Sequence, residues 1–127
     1  MGAATVGIGV VHNLIGVALG WGPLAEIVGD GLFNAVDPFP WRMAIFWFEA
    51  FGVLLMLMGA TWWWMERQGL VLPRFVAVGV ALIALLGAFF MPISGFYTFL
   101  PVAAVLWHRA GAVHTTTRAH PSAVMPQ

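Results

Sequence analysis

The chain has 127 residues, 61% of them hydrophobic and 8% charged, with a mean hydropathy of +0.93, a balance that excludes an ordinary soluble domain. Net charge is zero and all five basic residues are arginine, which excludes a basic footprint for nucleic acid or a polybasic attachment to anionic lipid. Cysteine is absent, so disulfides, thiolate catalysis and iron–sulfur ligation are excluded too, while the redox compartment stays open.

A chain of this length has room for about four helical spans of ~20 residues each. The N-terminal stretch carries neither the positive region nor the cleavage site of a secretory signal, and Val6 stands where a myristoylation motif needs Ser or Thr, so the first span is expected to be retained. Ala3 to Gly20 runs without a formal charge over roughly 27 Å and carries His12 and Asn13 near its centre. Gly20, Trp21, Gly22 and Pro23 break it. Pro23 to Val36 then predicts a short interfacial helix, with Leu24, Ile27, Val28, Gly31 and Leu32 on one face and Glu26 and Asp30 opposite.

Asp37-Pro38 supplies an N-cap and a first-turn proline for a second span reaching about Gln68, with Gly69 as its stop. A third runs from Pro73 to Met91, ended by Pro92, and Ser94 caps a fourth to His108 that is short at roughly 22 Å and contains Pro101. Ala110 to Gln127, rich in Thr, Ala, His and Pro without periodicity, reads as a disordered tail. The expected architecture is all-α: an integral membrane four-helix bundle over residues 1–109, with a short interfacial helix between its first and second spans, and a cytoplasmic tail over 110–127.

Arg67, Arg74, Arg109 and Arg118 fall on one side of this arrangement and only Arg42 on the other, which places both termini in the cytoplasm of a bacterial-type inner membrane. Trp21, Trp41, Trp62, Trp63, Trp64 and Trp107 land at span ends, as an aromatic belt requires.

Glu49 is the one acid deep in an apolar stretch, about 12 Å along its helix from Trp41. Arg42, Ile45, Phe46, Gly52, Val53 and Met56 share its face, with Gly59 and Ala60 a little further on, and the small residues predict an inward, helix-packed side. His12 lies on a stripe with Gly9, Gly16 and Gly20 at nearly the same depth, so the two side chains are expected at one level. Together they suit proton exchange, either in acid/base catalysis or in proton-coupled transport. The competing reading is structural: Glu49 hydrogen-bonded to His12, Asn13 or a backbone carbonyl ties two helices by about 0.6–2 kcal/mol.

Arg42 reads as an anion or substrate clamp or as a snorkelling interfacial arginine. Phe46 and Trp47, with Phe48 and Phe51, read as pocket walls or as packing, and Tyr97, beside Ser94 and Thr98, as part of a cavity mouth or as an interface residue. His108, His114 and His120 recur at intervals that fit no zinc motif, so no metal and no cofactor are expected. Met56 and Met58 point to different faces and read as packing.

VDPFPWRMAIFWFEAFGVLLMLMGA (Val36 to Ala60), GVVHNLIG (Gly9 to Gly16) and MPISGFYTFLP (Met91 to Pro101) resemble an uncharacterised bacterial family of small four-helix membrane proteins, a domain of unknown function. The resemblance covers the chain up to Arg109 and implies a four-helix membrane fold with no established activity. More loosely the chain is similar to the DoxX-like membrane families, from which no functional residue carries over.

Three functions compete. The first is a membrane-embedded site, enzymatic or binding, for a small lipophilic molecule, with Glu49 and His12 as its acid/base or hydrogen-bonding groups, Asn13, Arg42, Phe46, Trp47 and Tyr97 around the ligand, and the bilayer as surroundings. The second is an accessory or structural membrane subunit. The third is a small proton-coupled exporter, acting as a homodimer, which resembles the small multidrug resistance transporters in length but carries its acid in the second span instead of the first.

Overall fold

A computed structural model describes residues 1–118, and every regular element among them is a helix. In chain order these are α1 (Gly2–Leu19), α2 (Trp21–Gly29), α3 (Pro40–Arg67), α4 (Arg74–Phe90), a 3₁₀ turn (Gly95–Thr98) and α5 (Phe99–Arg118). They form two compact units, one of residues 2–64 and one joining residue 1 to the chain from Met65 onward. Two of the helices, α1 and α3, are long and apolar enough to cross a membrane; α4 is apolar but spans 17 residues.

In the first unit α1 and α3 pack backbone against backbone. A Cβ added at Gly9 would lie 2.9 Å from the Gly52 carbonyl oxygen and 3.0 Å from the Met56 nitrogen, and one at Gly59 would lie 2.6 Å from the Val6 nitrogen and 2.9 Å from the Gly2 carbonyl oxygen. Partners on α3 descend as positions on α1 ascend, from Gly2 against Trp63 to Gly16 against Glu49, so the helices run antiparallel. Glycine is what makes this approach possible, because any side chain at these positions would hold the backbones apart. Thr5, completely buried between Gly2 and Gly9, belongs to the same seam.

The α2 helix ends differently from the sequence expectation. Gly31 takes φ +87°, its N–H bonds the Val28 carbonyl at 3.1 Å and the Leu32 N–H bonds the Ile27 carbonyl at 3.1 Å, which is a Schellman termination. The helix therefore stops at Gly29 instead of continuing to Val36. In the loop that follows, Leu32 (φ 69°) and Asn34 (φ 55°) both adopt the left-handed conformation that side chains disfavour, and Phe33 between them is 92% exposed. Arg42 pins this loop: its Nη1 donates to Asp30 Oδ2 and to the Ala35 carbonyl, both at 2.7 Å. The helix expected to open at Asp37-Pro38 begins instead at Pro40, where fixed φ and a missing N–H cost nothing.

The second unit opens with the same termination at Gly69 (φ 71°), whose N–H reaches the Glu66 carbonyl while that of Leu70 reaches Met65. The α4 and α5 helices are antiparallel: the Arg74 guanidinium lies 5.2 Å from the Trp107 ring centre at one end, and the Phe96 ring fills the space beside Gly87 at the other. Ala77, Val80, Ala84, Val102, Ala103 and Leu106 are buried in this unit. Glu66 receives the amino group of Met1 at 2.8 Å and Arg109 Nη1 at 2.8 Å. Ser94, expected to cap the last long helix, instead caps the 3₁₀ turn, with its oxygen accepting from the Phe96 N–H at 3.5 Å. The α5 helix starts at Phe99, so Pro101 falls in its first turn where no N–H is required, and it continues past the expected end at His108 to Arg118. Residues 119–127 of the expected tail lie outside the described residues.

Candidate functional site

The antiparallel seam brings the polar residues of α1 and α3 into register. Asn13 stands three residues before Gly16, and Glu49 three before Gly52, so on each helix a polar side chain and a glycine share one face. Asn13 Oδ1 occupies the place a Cβ at Gly52 would take, and Glu49 Oε1 occupies the place of a Cβ at Gly16. Each helix thus inserts one oxygen into the notch left by the other's glycine. Neither oxygen has a hydrogen-bond donor among the described residues, and both are buried. Glu49 as a whole is half-buried, so its carboxylate reaches from the seam toward the helix surface.

His12 sits one residue before Asn13 and lies flat on Phe48, ring centres 3.8 Å apart and planes 13° from parallel, with Phe51 edge-on at 5.8 Å. Its Nε2 is 3.0 Å from the Phe48 carbonyl oxygen. A carbonyl can only accept, so Nε2 carries the proton, and in the neutral ring Nδ1 is left as an acceptor. His12 therefore ties to the backbone of α3, and no His12–Glu49 hydrogen bond occurs among the described residues.

The other sequence candidates are distributed differently. Arg42 is 7% exposed and turns toward α2: its Nε donates to Glu26 Oε2 at 3.0 Å and its Nη1 to Asp30 Oδ2, while the Phe39 ring lies 4.4 Å from the guanidinium carbon. Phe46 and Trp47 meet edge to face at 5.5 Å and are both exposed. Tyr97 is exposed on the 3₁₀ turn of the second unit.

From the sequence Arg42 is expected near Asp37, whereas the carboxylates it donates to are Glu26 and Asp30. Glu26 in α2 and Asp30 just past its end are four residues apart, a spacing that offers two carboxylates to one side, and that is the available sign. Trp41 completes the group by donating its indole N–H to Glu26 Oε2 at 3.1 Å. Hydrogen bonds from Trp41, and then from Arg42, hold the Glu26 carboxyl below its ordinary value of 4.5. Two hollows lie in the second unit: one of about 180 Å³ beside Glu66, Leu70, Leu106 and Arg109, and a groove of about 370 Å³ between α4 and α5. Neither is lined by Glu49 or His12.

Residues 1–112 match the family of unknown function DUF6463. The chain belongs to it. No curated protein and no solved structure matches the chain. The DUF6463 match takes in α1 to α4, the 3₁₀ turn and the first part of α5, and so contains the whole α1–α3 seam with His12, Asn13 and Glu49. Membership in DUF6463 brings no assigned chemistry with it.

Proposed function

We propose that this is an integral membrane protein whose α1–α3 seam binds a small lipophilic molecule through a hydrogen-bond donor on that molecule. The observation carrying the reading is the pair of buried oxygens, Asn13 Oδ1 and Glu49 Oε1, without a donor. A buried acceptor left unpaired costs about 1–3 kcal/mol, and a ligand hydroxyl, phenol or amine would remove that cost. Half-buried Glu49 and His12 give such a donor its approach, and the Phe48 and Phe51 rings supply an apolar rim.

The membrane assignment is supported by how little of the long apolar helices the protein itself covers. In their most apolar windows α1 is 22% and α3 is 17% buried, the opposite of the core helix of a soluble protein. With α4 and α5 as further spans, four helices would cross a bacterial-type inner membrane with both termini on the arginine-rich cytoplasmic side.

A second reading, a helix tie in an accessory membrane subunit, is favoured by the way Glu49 Oε1 fills the notch at Gly16. The two separate in one experiment. Purified protein is titrated with long-chain alcohols, alkylphenols and alkylamines, following thermal stability and native mass, for wild type and Glu49→Gln. Under the binding reading at least one compound stabilises wild type, and Glu49→Gln weakens it about tenfold, equivalent to 1.4 kcal/mol. If no compound binds and Glu49→Gln only lowers the melting temperature, the tie is what remains.

A further inference from the structure

We propose that the α4–α5 face holds an anionic phospholipid, with an acyl chain in the groove and the phosphate on Arg74; the proposal rests on the membrane reading but not on the seam ligand. The groove, about 370 Å³, arises because alanines face each other across the helix pair: Ala77 and Ala81 on α4, Ala103 and Ala104 on α5. Side chains of one carbon leave a trough between larger neighbours, and apart from the indole nitrogen of Trp107 no polar side chain lines it. Such a trough suits a hydrocarbon chain and offers nothing to a polar solute.

Charge complementarity names the head group. Trp107 lines the groove at the end where α4 begins, and the Arg74 guanidinium lies over its ring at 5.2 Å. Arg42 is taken by Glu26 and Asp30, and Arg109 by Glu66, whereas no carboxylate pairs with Arg74 among the described residues. A guanidinium stacked on an aromatic face keeps its N–H edges free for the two oxygens of a phosphate. Amphipathic Trp at the same point is the residue that marks the boundary between hydrocarbon and head groups. Arginine, indole and apolar trough thus follow one another in the order of a phospholipid's phosphate, glycerol region and chain. One arginine over a shaped groove differs from polybasic attachment, since it requires the chain as well as the charge.

The test uses full-length protein in detergent, mixed with equal amounts of dioleoylphosphatidylglycerol and dioleoylphosphatidylcholine, with retained lipid counted by native mass spectrometry. Circular dichroism and melting temperature are recorded for each variant, and alkaline carbonate extraction of cell membranes is run in parallel. The expected result is preferential retention of the anionic phosphatidylglycerol, reduced about tenfold in Arg74→Gln, largely kept in Arg74→Lys, and lost in Ala104→Leu, which fills the trough and leaves the charge. Equal retention of both lipids, or retention unchanged in Arg74→Gln and Ala104→Leu at matched helicity, would overturn it. Binding of glycerol phosphate without chains at the same affinity would also overturn it. Release of the protein by carbonate would instead remove the membrane reading on which the proposal rests.

Discussion

At the scale of single residues, the charged groups of the first unit are arranged so that a buried guanidinium is never alone. Arg42 donates to two carboxylates and a backbone carbonyl, and the indole of Trp41 shares the Glu26 oxygen that Arg42 uses. The resulting depression of the Glu26 carboxyl has a definite sign. A group whose folded value lies below its unfolded one contributes stability that is complete above the unfolded value, here about 4.5, and is lost as pH falls through the folded value. Thermal melting followed from pH 7 to pH 3 should therefore show wild type losing its advantage over Glu26→Gln below about 4.5. A difference that stays constant across that range would mean that Glu26 ionisation is not linked to folding. A second residue-scale expectation concerns Arg42→Lys. An ammonium cannot serve Glu26, Asp30 and Ala35 from one planar fork, so the variant should be clearly destabilised although charge is conserved, as a melting curve would record.

At the scale of elements, the seam between α1 and α3 depends on absent side chains. Gly9→Ala and Gly59→Ala would press a methyl group into backbone atoms of the facing helix, which cannot swing aside, so each should cost about 1–3 kcal/mol in unfolding experiments. A methyl group added at Gly7 on α1 would meet nothing within 4 Å, and Gly7→Ala should stay within about 0.5 kcal/mol. Equal effects at Gly7 and Gly9 would remove the argument. Much of this seam was legible in the sequence. The spacing of Gly9, His12 and Gly16, and of Glu49 and Gly52, identifies the packed face of each helix, since position on a helix surface follows from residue number alone. Which residue faces which was not legible. That depends on the register between helices, and Gly2, Gly9 and Gly16 on one side with Gly52 and Gly59 on the other carry a seven-residue repeat that points to a constant register only once the partner helix is known. The end of α2 escapes sequence reading for a related reason. Val36 continues an apolar pattern, but Gly31 can enter the left-handed region at little cost, and the Arg42 cluster holds the chain in the turn that follows.

At the scale of the whole molecule, all-α character and the two membrane-length helices follow from composition and from long runs without charge, and these are the features least sensitive to tertiary detail. The finer topology is open to a direct measurement, because the chain has no cysteine to remove first. Single substitutions Asp37→Cys and Gln68→Cys, at opposite ends of α3, should label from opposite faces of the cell membrane, with Gln68→Cys reached only from the cytoplasm. Labelling of both from the same face would exclude α3 as a span.

The pinned loop between α2 and α3 has one more consequence. Proteases that cut after aromatic residues need their substrate drawn out as an extended strand, and exposed loop tips are where they ordinarily find it. Phe33 offers such a side chain at 92% exposure, yet left-handed residues flank it, and Asp30 and Ala35 on either side are fastened to the same guanidinium. Chymotrypsin cannot straighten this stretch without first detaching Arg42. The rate of cleavage at Phe33 is therefore a clock for the opening of an ion cluster several residues away, and it should run slowly in the wild type and fast in Arg42→Gln.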